Sequence, residues 1–211
     1  MEVVSDKKYV PVPPYAGTWW PRALGLLLPG YLRKRYGLDR VEMRRVDRVS
    51  RSVTAGHGVL LAPNHCRDED SFVVSLLGRE VGRPFYTVAS AHLFVGGAFQ
   101  SFLLRRAGAL RSYREGMDKQ AVTTSIEILQ AARRPLVIFP EGHISRTDDD
   151  IAPMLERTAL IVGRRPGAAP ERRRLGAWWC TRWRFDTTTS STSGRPRRRC
   201  LTGSKLGLIG G

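Results

Sequence analysis

Between Gly58 and Phe139 the chain switches repeatedly between two apolar periods, and that alternation limits the folds open to it. Val59-Leu60-Leu61-Ala62, Phe85 to Ala89, Ala109 to Ser112 and Leu136-Val137-Ile138-Phe139 are short apolar runs, as expected of buried strands. Ser71 to Leu77 and His92 to Arg105 read as helices between them. Asp118 caps a third helix, whose Val122, Ile126, Leu129 and Ala132 share one face until Pro135 ends it. Strands alternating with helices predict an α/β fold, a largely parallel mixed sheet flanked by helices. In such sheets the side chains that do chemistry gather just beyond the carboxyl ends of strands.

The 211 residues suit one ordinary domain with an N-terminal arm, and a 42% hydrophobic content excludes wholesale disorder. A net charge of +16 favours anionic partners: nucleic acid, phospholipid headgroups or a phosphorylated metabolite. Most of that excess lies in residues 163 to 211, where twelve basic residues face only Glu171 and Asp186. Cys66, Cys180 and Cys200 form no metal-ligand spacing and are odd in number, which argues against a zinc site or a disulfide framework. No apolar run reaches the roughly 18 residues of a spanning helix. Pro11, Pro13 and Pro14 interrupt the place where a signal peptide would need its apolar stretch. The chain therefore reads as cytoplasmic, with a place on the surface of the cytoplasmic membrane left open.

Residues 1–17 read as a flexible arm and residues 18–45 as an interfacial, amphipathic segment. In the latter, Trp19-Trp20, the leucines from Leu24 to Leu28 and Arg33-Lys34-Arg35 suit a lipid headgroup layer. A helix packed on the domain accounts for them equally well, with Pro29 interrupting its period. Residues 46–162 form the main domain, and residues 163–211 a basic tail of low structure.

Three strand ends carry polar residues. After the first strand comes Asn64-His65-Cys66-Arg67-Asp68-Glu69-Asp70. A strand-to-helix turn can set Asp70 against His65 Nδ1 and leave Nε2 facing a substrate, the arrangement of a general base. A loop histidine beside a helix-capping aspartate fits the same spacing. The fourth strand runs into Pro140-Glu141-Gly142-His143-Ile144-Ser145-Arg146, where Gly142 permits close backbone approach and Glu141 and Arg146 can meet hydroxyls and phosphate. The third strand ends near Arg111 and Arg114, the latter a candidate phosphate fork.

Together these blocks resemble the glycerolipid acyltransferase family that includes the bacterial 1-acylglycerol-3-phosphate acyltransferases. Asn64, His65 and Asp70 match its Asn-His-x-x-x-x-Asp signature, Gly108 and Arg114 its second block, and Phe139 to Gly142 its Phe-Pro-Glu-Gly, followed by Ser145-Arg146. The similarity covers about residues 55 to 162. It implies a glycerol-3-phosphate acyltransferase-like fold and acyl transfer from acyl-CoA or acyl carrier protein to a lysophosphatidate hydroxyl in phospholipid biosynthesis. His65 would act as general base with Asp70 behind it. Arg114, Glu141, Gly142 and Arg146 would bind the lysophospholipid or glycerol-phosphate acceptor. No covalent acyl-enzyme, metal or cofactor beyond the acyl-carrying co-substrate is expected. The partners are the acyl donor, the acceptor and an anionic membrane surface, without nucleic acid.

The chain departs from the family in two places. Arg157 stands where a glycine is usual, and the family's fourth block, an apolar strand containing a proline, is not found. Beyond Val162 the composition turns abruptly to Arg, Trp, Pro and Ser. This suggests a reading-frame shift or miscalled end near residue 162 and the loss of C-terminal strands; translating the other two frames of the DNA tests it. Other readings compete. Cys66 is disfavoured as a nucleophile, because neighbours in a turn do not generally present side chains to each other. Asp148-Asp149-Asp150 meets no metal spacing, and His57 and His92 are most simply structural. The tail's arginines with Trp178, Trp179 and Trp183 could instead bind nucleic acid. A truncated, inactive membrane-associated homologue is the third reading.

Overall fold

Four short strands form one sheet in the computed structural model, which describes residues 14–113, 118–146 and 155–163. They are β1 (Leu60–Leu61), β2 (Tyr86–Ser90), β3 (Ala109–Ser112) and β4 (Leu136–Val137). Their order is β1-β4-β2-β3, and each pairing among the described residues is parallel. Every strand therefore delivers its carboxyl end to the same edge. Among the described residues six helices accompany them: α1 (Trp19–Tyr36), α2 (Val46–Thr54), α3 (Asp70–Glu80), α4 (Ala98–Ala107), α5 (Lys119–Ala131) and α6 (Glu156–Gly163).

Alternation along the strands sorts the core onto two faces. Leu61 and Val137 point to a layer with Val49 of α2, Val74 and Leu77 of α3, Phe85 and Phe139. Their neighbours Leu60 and Leu136 point the other way, against Val122 and Leu129 of α5, Ile138 and Ile161 of α6. Helices thus cover both faces, which is why the strands read as unbroken apolar runs. A third cluster fixes α1: Leu32 and Leu38 are buried against Val73, with Leu28, Tyr36, Phe72 and Leu76 around them.

The predicted elements are present, with differences that have local causes. The stretch from His92 to Arg105 is not one helix. A 3₁₀ turn at Ala91–Phe94 is separated from α4 by Val95-Gly96-Gly97, and Gly97 takes φ +137°, a conformation L side chains rarely adopt. The fourth strand ends at Val137 rather than Phe139, because Pro140 has no amide hydrogen and the chain turns at once, with Gly142 N donating to Phe139 O at 3.1 Å. Pro29 does not break its helix; α1 runs through it with Pro29 on an exposed face. The short helix α2 was not anticipated. Asp118 caps α5 as expected, its side chain accepting from Ala121 N.

Arg134 joins the N-terminal segment to the sheet. It is 2% exposed, and its guanidinium donates to Pro84 O, Phe85 O, Tyr15 O and Gly17 O while lying 3.9 Å from the Tyr86 ring centroid. Burial pushes its pKa below the usual arginine value, partly offset by Tyr86. Gly108 makes room for it: φ is +99°, and a Cβ there would collide with Arg134 Nη2. The last residues of the supposed arm, Tyr15 and Gly17, are thus held by hydrogen bonds; residues 1–13 lie outside the described part. Arg134→Leu leaves four carbonyls without their donor and is expected to cost about 3 kcal/mol. Urea denaturation measures it, and an unchanged midpoint would contradict this role.

Candidate active site

The parallel order places β4 beside β1, so the first and third polar blocks leave the sheet as neighbours. From β1 the chain runs through Asn64 and His65 and turns into α3 at Asp70. Asp70 is 1% exposed, and its Oδ2 is the focus of the turn. That oxygen accepts Cys66 N at 2.7 Å and Arg67 N at 2.8 Å, and lies 3.2 Å from His65 Nδ1. A carboxylate oxygen only accepts, so Nδ1 carries the hydrogen, and in the neutral ring Nε2 is then the nitrogen with the lone pair. Asp70 thus closes the turn that precedes α3 and orients the imidazole; it does not cap the helix, whose N-cap is Glu69 without a side-chain cap bond.

Two contacts from β4's end complete the hold on His65. Phe139 stacks on the ring, with centroids 4.1 Å apart and planes inclined by 25°. Ser145 donates to His65 O twice, from N at 2.8 Å and from Oγ at 3.3 Å. The side chain keeps 16% exposure, and Nε2 has no partner among the described residues. An imidazole tied at one nitrogen, open at the other and stacked on one face is oriented to take a proton from a group arriving at Nε2.

The turn after β4 presents Glu141, Gly142 and Arg146. Glu141 is 3% exposed, yet neither of its carboxyl oxygens has a partner among the described residues. Gly142 adopts φ +67°, and a Cβ there would collide with Leu155, whose amide donates to Pro140 O at 2.9 Å. His143 Nδ1 donates to Glu141 O at 2.9 Å. Arg146 is exposed, with a left-handed φ of +56° beside Ser145. Asn64 Oδ1 and Asp70 Oδ1 are also buried without partners among the described residues. Arg114 lies outside the described residues, as do Asp148, Asp149 and Asp150. Its described neighbours are tied down: Tyr113 N donates to Asp118 Oδ2 at 3.1 Å, and Tyr113 O accepts from Arg157 Nη1 at 2.6 Å.

Arg157, noted above only as a departure from the family pattern, links the end of β3 to α6, also reaching Ser112 Oγ at 3.2 Å. Ser145 and Phe139 were missed as supports of His65, since their roles depend on strand order rather than spacing. Cys66 is buried and serves the turn through its amide, while its sulfur accepts from Asn64 Nδ2 at 2.8 Å. Among the described residues no group of three His, Cys, Asp or Glu is placed to hold a metal ion.

A His–Asp pair and a glycine turn thus stand together at the carboxyl edge of a parallel α/β sheet. The acyltransferase family model matches residues 40–184, and the chain belongs to that family, the glycerolipid acyltransferases. The match begins before residue 55 and runs beyond Val162, wider than the stretch on which the motifs were aligned. No curated protein matches the chain closely enough to stand as a relative. Membership makes acyl transfer its class of activity, with an acyl donor and a lipid acceptor.

A buried carboxyl group without hydrogen-bond partners destabilises the fold that contains it. Glu141→Met is therefore expected to raise stability by about 1–3 kcal/mol. The urea midpoint checks this, and a lowered midpoint would show that Glu141 supports the fold.

Proposed function

We propose that the protein moves a fatty acyl group from acyl-CoA or acyl carrier protein to the free hydroxyl of lysophosphatidate, a step of phospholipid biosynthesis. The observation that carries this reading is the orientation of His65, tied to Asp70 through Nδ1 with Nε2 open. His65 Nε2 takes the hydroxyl proton as the acceptor oxygen attacks the thioester carbonyl. The tetrahedral intermediate then collapses, the carbon–sulfur bond breaks, and the departing thiolate recovers the proton from the imidazolium. Asp70 steadies that imidazolium while it exists. General-base help of this kind supplies about two to four orders of magnitude in rate. Positioning of the reactants and stabilisation of the oxyanion supply the rest.

Arg114, Glu141, Gly142 and Arg146 are assigned to the phosphorylated acceptor. Glu141's unpartnered oxygens suit a hydroxyl donor, Arg114 and Arg146 suit phosphate, and Gly142 lets the backbone come close. No cofactor takes part beyond the acyl-carrying co-substrate. The site works at the cytoplasmic face of the membrane, where α1 lies in the headgroup layer. Supporting this, α1 packs through Leu28, Leu32 and Tyr36 but leaves Trp19, Leu26 and Leu27 exposed. No helix among the described residues is long and apolar enough to cross a membrane.

The test is the full chain supplied with acyl-CoA or acyl carrier protein and lysophosphatidate, with glycerol 3-phosphate and other lysophospholipids as alternative acceptors. Phosphatidate is the expected product, and His65→Ala is expected to reduce it by about 10²- to 10⁴-fold. Asp70→Asn should lose a similar factor with little change in melting temperature, since the amide oxygen can still accept from Cys66 N and Arg67 N. Near-normal turnover in Asp70→Asn would remove it from the mechanism. No product from the folded chain with any acceptor would contradict the proposed reaction.

A further inference from the structure

The helix α4 presents an anomaly that the acyltransfer reading does not use. None of its ten residues is buried, although it carries Phe99, Phe102, Leu103 and Leu104. Phe99 is 74% exposed, and Phe102 is also exposed. The 3₁₀ turn and the Val95-Gly96-Gly97 break before it expose Leu93 and Val95 as well. Isolated exposed apolar residues are ordinary, but a cluster of this size marks an interaction surface.

The cluster continues onto α1. The two helices pack on one another, and Trp20 meets Phe102 edge-on with centroids 5.7 Å apart. Trp19 touches Trp20 in the same manner at 4.5 Å, and along α1 Leu26 and Leu27 are exposed too, Leu27 at 71%. The charge on these elements has one sign. Residues 14–38 and 91–107 contain no Asp or Glu, yet they hold Arg22, Lys34, Arg35, Arg105 and Arg106, besides Arg33, which pairs with Asp39 at 3.0 Å. Between Tyr15 and α4 lies a recess of about 450 Å³, lined also by Ser101, Phe102, Arg105 and Arg106. Arg106 sits over three aromatic rings, 4.7 Å from Tyr15, 5.1 Å from Phe102 and 5.9 Å from Trp20.

We propose that α4 and the 3₁₀ turn before it form a second membrane-seating element, which with α1 docks the protein on an anionic bilayer. The inference rests on the membrane placement proposed above and extends it to a segment read from sequence as an ordinary helix. Phe99, Val95 and Leu93 enter the acyl boundary, the tryptophans and tyrosines occupy the headgroup level, and the arginines face lipid phosphates. Charge complementarity chooses this occupant: an apolar face rimmed by five arginines and lysines beyond the Arg33–Asp39 pair is matched by anionic lipid.

The experiment is co-sedimentation of the full chain with phosphatidylcholine vesicles with and without phosphatidylglycerol. Wild type is expected to prefer the anionic vesicles, and Arg105→Gln to weaken that preference. The double variant Val95→Ser with Phe99→Ser is expected to lose roughly tenfold or more in partitioning. Phe99→Trp should retain wild-type partitioning, which separates loss of insertion from loss of fold. Turnover of detergent-dispersed acceptor is read separately and should stay unchanged in these variants, so a failed docking surface and a failed reaction give different results. Wild-type partitioning in the double variant would place binding on α1 or the basic tail alone and overturn the proposal. Loss in Phe99→Trp equal to that in the serine variant would overturn it as well.

Discussion

One oxygen atom organises the carboxyl edge of this sheet. Asp70 Oδ2 gathers two backbone amides and an imidazole N–H, so the turn from β1 into α3 cannot close without also orienting His65. Buried as it is, that carboxylate depends on all three donors, since a charge removed from water must be compensated locally. The geometry of the histidine is therefore tied to the stability of the turn. Phe139 and Ser145 add a stacked face and a held carbonyl from the neighbouring strand.

The insertion of β4 between β1 and β2 makes that support possible. Residues more than seventy positions apart in sequence leave the sheet side by side, and the turn at Gly142 follows directly. Stability is concentrated away from this edge, in the two apolar layers and in Arg134, whose four carbonyl contacts fasten the start of α1 to the sheet. At the edge itself the buried oxygens of Asn64, Asp70 and Glu141 lack partners among the described residues. Groups held ready in this way cost stability in the free protein and are common where a ligand is to be bound.

Much of this was legible in the sequence because it is encoded locally. Strand β3 and the cap at Asp118 follow from adjacent residues, and the pairing of His65 with Asp70 spans a single turn. What was not legible depends on distant packing. Arg134 reads as an ordinary surface arginine until Gly108 and the carbonyls of residues 15, 17, 84 and 85 surround it. Phe139 reads as one more strand residue until strand order sets it against an imidazole. The exposure of α4 was hidden for the opposite reason: its phenylalanines and leucines look like core, and only the fold shows that none of them is buried. Arg157 departs from the family's usual glycine, and its position accounts for it, holding the end of β3 just before Arg114.

The central claim is that Asp70 fixes His65 as a base acting through Nε2, and the tautomer of that ring tests it most directly. Nitrogen-15 NMR of the imidazoles, with His65 assigned by His65→Gln among the chain's 4 histidines, distinguishes the two nitrogens at neutral pH. The account predicts a protonated Nδ1 and an unprotonated Nε2 for His65. A ring carrying its hydrogen on Nε2 would contradict it, because neither the contact to Asp70 nor the proposed proton transfer could then be as described.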